Sequence, residues 1–404
     1  MARALRSAGG RPAQLPAARG QAARRQAGRT APGRGAPVLL PGAPDGLLIA
    51  AVLGLVSFGM VMIYSVTIHQ GTSTEVVRKM AIQFGGGAVG LLAGMLVPLS
   101  WWRKLTVPLL VGSIAALGSL LVPGNPLAVS GLGATRWLGV GPLTVQPSEF
   151  AKLAFILFGA AFLDRWGARL GLERLATYLG VLGVMAGLIY QEPDLGTALV
   201  LGGVALCLLW VARVHWIKIA AVVALAGCAV YVLASNKEHQ KERLDAWWNP
   251  WVYEDTSGHQ VIQSWTAMAR GGIWGVGLGE SLQKLDDRLP EAETDFIFSI
   301  VVEELGLVGG AVVILLFVLF TWRGFTIALG APDRYTMLLA AGVTSWVGGQ
   351  AFLNLGVVTG TLPNTGIPLP FLSSGGSSLL ALMTGVGILL SVSRLCNSPN
   401  AVRS

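Results

Sequence analysis

Charge is scarce in this chain. Only 12% of its 404 residues are Asp, Glu, Lys or Arg, against 53% hydrophobic residues and a mean hydropathy of +0.63. That scarcity excludes an ordinary soluble globular domain, in which about a quarter of residues are charged. Cysteine is scarcer still: Cys207 and Cys228 fall inside apolar runs and Cys396 near the C-terminus, which gives neither a disulfide framework nor a metal site. All three read as small core residues. Acidic residues are missing altogether from residues 1–44, where eight arginines account for the whole formal charge of +8. The rest of the chain is electrically balanced. Serine is too sparse in this tail for an organellar transit peptide. Its positive region is too long, and the next apolar run too long, for a secretory signal. No internal repeat is visible, which argues against an inverted-repeat transporter.

What is present instead is a series of apolar blocks of roughly 20 residues, the length a helix needs to cross a hydrocarbon core about 30 Å thick. They predict an all-α, polytopic integral membrane protein with ten transmembrane helices near 46–66, 80–99, 105–123, 147–163, 176–190, 195–212, 216–235, 296–321, 335–359 and 368–393. The 54 glycines suit close packing between such helices. Arg103-Lys104, Arg165/Arg169/Arg174, Arg213/Lys218, Arg323/Arg334 and Arg394/Arg403 all fall on the side of the arginine tail, so both termini are expected in the cytoplasm. The domain reading is a basic tail over 1–44, a ten-helix body over 45–393 and a C-terminal tail over 394–404. The Pro, Gly, Ala and Arg-rich first tail is expected to be solvated and to touch anionic membrane lipid; nucleic acid is not an expected partner. On the opposite side lie the connections 67–79, 124–146, 191–194, 236–295 and 360–367. The loop between helices seven and eight dominates: it holds eleven of the 21 acidic residues and the aromatics Trp247, Trp248, Trp251 and Tyr253.

A charge inside a span is costly and calls for a partner or a function. Glu149 and Lys152, three apart and so on one helical face, stand either as a self-neutralising packing pair or as a substrate-facing pair. Asp194, after Pro193, either caps the next helix or faces a ligand. Glu303-Glu304 lie about two turns into span eight with no obvious local basic partner. Asp295 sits where the long loop re-enters the membrane. There it is an N-cap, in competition with Thr294, or a partly desolvated carboxylate with a raised pKa, suited to act as a base. The run Leu369 to Ser378 opens span ten with hydroxyls and a Gly-Gly pair, which serve close packing or a polar cavity.

Six segments, in this order, resemble the SEDS family (shape, elongation, division and sporulation) of membrane glycosyltransferases that polymerise lipid II into peptidoglycan. They are Gly133-Ala134-Thr135-Arg136-Trp137, Gln146-Pro147-Ser148-Glu149 with Lys152, Pro193-Asp194-Leu195-Gly196-Thr197, Leu289-Pro290-Glu291-Ala292 through Phe298, Glu303-Glu304-Leu305-Gly306 and Gly375-Gly376-Ser377-Ser378. The chain has Ser374 where the family usually has Tyr, and Asp286-Asp287-Arg288 makes a spacer one residue longer than usual.

The resemblance implies that Asp295 is the essential acid, that Glu149 and Lys152 line a central cavity and that Arg136 is the basic residue of an outer loop. It also implies that Gln283-Lys284-Leu285 belongs to the division-type branch rather than the elongation type. Substrate contacts are expected from Arg136, Glu149, Lys152, Asp194, Lys284, Glu303 and Ser377, with Arg136, Lys152 and Lys284 balancing a leaving pyrophosphate. A divalent cation (Mg2+ or Mn2+) is a candidate cofactor beside Asp295; no nucleotide or organic cofactor is expected. The implied partners are lipid II, the nascent glycan, a class B penicillin-binding protein and other divisome membrane proteins, at the septal cytoplasmic membrane. A lipid II flippase would also place charges in its spans, and a non-catalytic scaffold would leave them unexplained.

Overall fold

The computed structural model describes residues 42–67, 73–131, 134–140, 143–236, 238–285 and 288–397. The arginine tail up to residue 41, Gly133, Asp286-Asp287 and Arg403 lie outside the described residues. Helices occur at all ten expected spans: α1 (Gly46–Thr67), α2 (Ser73–Leu96), α3 (Leu99–Leu120), α4 (Pro147–Trp166), α5 (Leu172–Gln191), α6 (Leu195–Val211) and α7 (Trp216–Asn236). The long loop then forms α8 (Glu238–Trp248) and α9 (His259–Gly271), and α10 (Ile297–Leu329), α11 (Arg334–Val358) and α12 (Gly376–Cys396) complete the bundle. Seven of these are long and apolar enough to cross a membrane. Of the others, α4 carries Glu149, Lys152, Asp164 and Arg165, and α6 and α7 are apolar over shorter stretches. The protein is a multi-pass membrane protein.

Three boundaries differ from the hydropathy reading. α2 and α3 begin about a turn or more before the expected 80 and 105, taking in Arg78-Lys79 and Trp101 to Lys104. A helix satisfies its own backbone bonds and need not stop where the hydrocarbon ends. Span ten was expected from 368, but α12 begins at Gly376; the preceding residues form irregular backbone, with Phe371 at φ +66°. α11 and α12 form the centre of the bundle, with 67% of the spanning window buried in each against 22% in α2 and α5.

At one end of the bundle the two described chain ends meet. Gly42 N donates to Arg394 O (2.8 Å), Asn397 Nδ2 donates to Ala43 O (3.0 Å), and Asp45 caps α1 while pairing with Arg323. The other end carries the loops. There the 124–146 connection forms a small antiparallel sheet, β1 (Ala128–Gly131), β2 (Ala134–Val140) and β3 (Leu143–Val145), inside an otherwise all-α fold. Val129 pairs with Trp137 and Ser130 with Thr135, which leaves Arg136 as the extra residue of a β-bulge. Bulges re-aim side chains, and this one is an arginine.

α10 is broken at Gly306, whose φ of +72° a residue with a Cβ adopts only under strain. The long loop mends the break. Val276 and Gly277 donate to the carbonyls of Glu303 and Glu304, while Leu307 and Val308 donate to those of Gly272 and Ile273. Two ion pairs lock the same joint, Arg270 with Glu303 (3.0 Å) and Lys284 with Glu304 (2.8 Å). As expected, Glu303 and Glu304 have no local basic partner; both partners arrive from the loop, at a sequence distance no local pattern shows.

Candidate active site

A cavity of about 370 Å³ opens at the loop end, and Asp295 lines it. Asp295 ends a tight turn in which Phe296 N returns to Glu291 O (3.2 Å), with Glu291 at φ +58°. Neither Asp295 nor Thr294 caps α10. The helix starts on Phe296 with no side-chain cap, and the Thr294 hydroxyl instead donates to Glu291 Oε2 (2.5 Å).

The peptide of Asp295 is held from below and from the side. Buried Asn354 of α11 donates to Asp295 O and to Ile367 O, each at 2.7 Å. Ser373 Oγ donates to Thr294 O (2.5 Å) and Ser374 N to Glu293 O (2.8 Å), so the irregular run before α12 splints the turn. Ser374, at the position where the resembled family carries Tyr, lines the cavity. Gly366, at φ +65°, is the neighbour on the far side: a Cβ there would stand 3.3 Å from Asp295 Oδ2.

The carboxylate itself accepts no hydrogen bond among the described residues. It is surrounded by protein yet half-open to the cavity. Burial, then the charges of Glu291 and Asp194, push its pKa up to about 7, and Arg136 and Arg243 oppose the rise. Such a group is poised to exchange a proton near neutral pH.

Four residues singled out from sequence share the cavity: Asp295, Arg136, Glu149 and Asp194. Asp194 plays both of its candidate parts, since its Oδ1 caps α6 by accepting from Thr197 N (2.9 Å) while the residue lines the cavity. Arg136 reaches from its bulge to the carbonyls of Glu192 (2.9 Å) and Pro193 (2.6 Å). The adjacent Glu192 side chain is buried with both oxygens unpartnered, and burial, then Asp194, raises its pKa to about 8 against the pull of Arg136.

The remaining four lie elsewhere. Lys152 is buried behind Glu149, bonded to Glu149 Oε1 and Gln350 Oε1 (2.9 Å each) and lying over the Trp346 ring, so only the glutamate faces the cavity. Ser377 joins α12 to the sheet: it donates to Thr144 O and accepts from Gln146 N. Lys284 and Glu303 belong to the α10 joint, where Ser65 and Ser281 complete their bonding.

Sequence reasoning missed Arg243. It stands on α8 and lines the cavity, and burial, then Arg136, lowers its pKa while Asp295 opposes the fall. Its signal was faint but present. Arg243 and Trp247 are four apart on one helical face, and Trp247 Nε1 docks on Gly360 O (2.9 Å), which turns that face inward. Among the described residues, no group of three or more His, Cys, Asp or Glu side chains converges to hold a metal ion.

Known proteins resemble this chain along most of its length. The chain is 38% identical over 356 residues to the probable peptidoglycan glycosyltransferase FtsW of Geobacter metallireducens, covering 86% of this chain and 94% of that one. It is 39% identical over 362 residues to stage V sporulation protein E of Bacillus subtilis, at 87% and 97% coverage. Among solved structures it resembles a chain from work on the structural coordination of polymerization and crosslinking by a peptidoglycan synthase complex. That match has a TM-score of 0.71 and 29% identity and covers 87% of this chain and 98% of that one. It also resembles the rod shape determining protein RodA of Thermus thermophilus, with a TM-score of 0.63, 26% identity and coverage of 87% and 97%. A family model described as cell cycle protein, FtsW/RodA/SpoVE, matches residues 46–398. By sequence along nearly its whole membrane body and by fold, this chain belongs to the FtsW/RodA/SpoVE family.

Proposed function

We propose that the chain is a division-type peptidoglycan glycosyltransferase that polymerises lipid II, with Asp295 as its base. The observation that carries this reading is a carboxylate without a hydrogen-bond donor, raised to about 7, in a cavity that two guanidiniums share. Lipid II brings its sugars on a pyrophosphate, so a leaving group is built into the donor. The enzyme must supply a base for the attacking hydroxyl and positive charge for the departing one.

Asp295 takes the proton of the acceptor GlcNAc 4-hydroxyl as that oxygen attacks the anomeric carbon of the donor MurNAc. The new glycosidic bond forms with inversion, the C1–O bond to the pyrophosphate breaks, and its electrons leave with the polyprenyl pyrophosphate. Arg136 and Arg243 are the side chains placed to balance that charge. Lys152 and Lys284, each already paired with a buried carboxylate, are not free to do so. A divalent cation, Mg2+ or Mn2+, would be held by Asp295, and when bound it would supply charge neutralisation.

The relatives' names support the glycosyltransferase reading, and the synthase-complex neighbour supports a class B penicillin-binding transpeptidase as partner. Reaction at the outer face of the septal membrane is part of the proposal. The test is polymerisation of labelled lipid II by purified protein, alone and with its transpeptidase, with and without chelator, for the unmodified chain and for Asp295→Ala and Asp295→Asn. Glycan chains made by the first and by neither variant are expected. Full activity in both variants would overturn the mechanism, and lipid II redistribution without polymer would favour a flippase.

A further inference from the structure

The cavity holds a polar pair that the mechanism above does not use. Gln260, in the first turn of α9, and Asn364, in the 360–367 connection, both line it, and Asn364 Nδ2 donates to Gln260 Oε1 (2.7 Å). The orientation of both amides is fixed by one group that has no choice. Gly366 N is a backbone donor and bonds Asn364 Oδ1 (3.1 Å), so the other end of Asn364 must be its NH2 group. That group needs an acceptor, so Gln260 presents its oxygen to Asn364. The Gln260 NH2 group is left with no protein partner among the described residues.

Next to this pair, Thr365 lines the same cavity, and its buried hydroxyl has no partner either. A buried hydroxyl left unpaired is rare in proteins, and here a donor without a protein partner lines the same cavity. The network is also anchored to the chemistry. It ends on Gly366, the residue whose backbone borders Asp295 Oδ2.

We propose that Gln260 and Thr365 form a subsite for the acetamido group of the acceptor sugar, with the Gln260 NH2 donating to the acetamide carbonyl and Thr365 Oγ accepting from the acetamide N–H. An acetamide needs one donor and one acceptor, and these two cavity-lining side chains supply both. In GlcNAc the C2 acetamide and the C4 hydroxyl are equatorial substituents that flank C3 on one edge of the ring. A sugar whose 4-hydroxyl meets Asp295 therefore turns its acetamide toward the same wall of the cavity, and in this arrangement the donor MurNAc, which also carries an acetamide, approaches from the arginine side. The proposal rests on the glycosyltransferase reading and specifies which sugar group this wall reads.

The experiment pairs the enzyme with two substrates: lipid II, and a lipid II analogue with glucose in place of GlcNAc, which keeps the MurNAc acetamide. Gln260→Glu keeps the oxygen that Asn364 needs and deletes only the free donor; Gln260→Leu and Thr365→Val accompany it. Melting temperature and gel-filtration elution confirm folding, and rates are taken well above the Asp295 ionisation so that an added charge does not alter the base. The unmodified enzyme should lose about tenfold in kcat/KM on the analogue, the worth of one to two neutral hydrogen bonds. Gln260→Glu should lose about tenfold on lipid II and nothing further on the analogue. Equal losses by the variant on both substrates would overturn the proposal. So would unchanged use of the analogue by the unmodified enzyme, since the acetamide read by Gln260 would then be that of MurNAc. Absence of any glycan from lipid II would instead sink the glycosyltransferase reading itself, and the subsite with it.

Discussion

Two sets of acids sit close together in this chain and are treated in opposite ways. Glu303 and Glu304 are buried in the broken helix α10, and every nearby donor is spent on them: Arg270, Ser281 and the Leu282 N–H on one, Lys284 and Ser65 on the other. Asp295, at the head of the same helix, is buried enough to resist ionisation and receives no hydrogen bond. The first arrangement spends charge on architecture, because each buried carboxylate is already neutralised by its own cation and bonded by a hydroxyl. The second leaves its carboxylate open. Burial alone does not distinguish the two; the lack of a donor does, and of the unpartnered carboxylates Asp295 and Glu192 it is Asp295 that lines the cavity.

The contrast can be broken at either end. The largest effect is expected at Asp295. Asp295→Asn keeps shape and removes the base, so lipid II polymerisation should fall by about a thousandfold while the melting temperature in detergent stays where it was. At the other end, Glu304→Ala should cost about 3–5 kcal/mol of stability by stranding the buried Lys284 ammonium. The double change Glu304→Leu with Lys284→Met should recover most of it, as thermal unfolding of the two variants would reveal. A double variant as unstable as the single one would mean the pair does more than neutralise itself. Arg243→Gln should lower kcat by about a hundredfold, the scale of one electrostatic contact to a leaving group, with little change in stability.

The smallest effect is the most diagnostic. In the proposed mechanism the basic form of Asp295 is the active one, so the rate should rise with pH through about 7. Glu291→Gln removes the neighbouring negative charge that raises this pKa, which makes ionisation easier and should move the acid limb to lower pH. Arg243→Gln removes a positive charge that holds the pKa down and should move it higher. Limbs that do not move in opposite directions would show that some other group titrates.

The spans were legible because a hydrocarbon slab demands long apolar runs, and those runs are in the sequence whatever the tertiary contacts. Asp295 was legible as well, as an acid at a membrane boundary. Its role as helix cap was a reasonable local alternative that the turn back to Glu291 displaces. Less could be read where the chain meets itself from afar. Arg243 costs nothing in a loop already full of charges, so no membrane argument singles it out. Lys284 reads as a substrate contact from the family resemblance of Gln283-Lys284-Leu285, and its partner Glu304 lies too far along the chain for a local pattern to show. The sheet that carries Arg136 is short and glycine-rich, and a bulge appears only once the pairing register is known. Starts of helices such as α2 and α3 were misplaced because hydropathy measures the solvent and a hydrogen-bond ladder does not.

The mended break at Gly306 has a consequence for how the protein is made. A helix entering lipid normally completes its own ladder before anything else folds. α10 cannot: four of its backbone groups find partners only in residues 272–277, and each left bare in hydrocarbon would cost several kcal/mol. The helix is therefore inserted as an unfinished element whose early turns around Gly306 are closed by a loop synthesised before it. Hydrogen exchange at Val276, Gly277, Leu307 and Val308 should accordingly rise and fall as one unit, with no separate transition for membrane helix and outer loop.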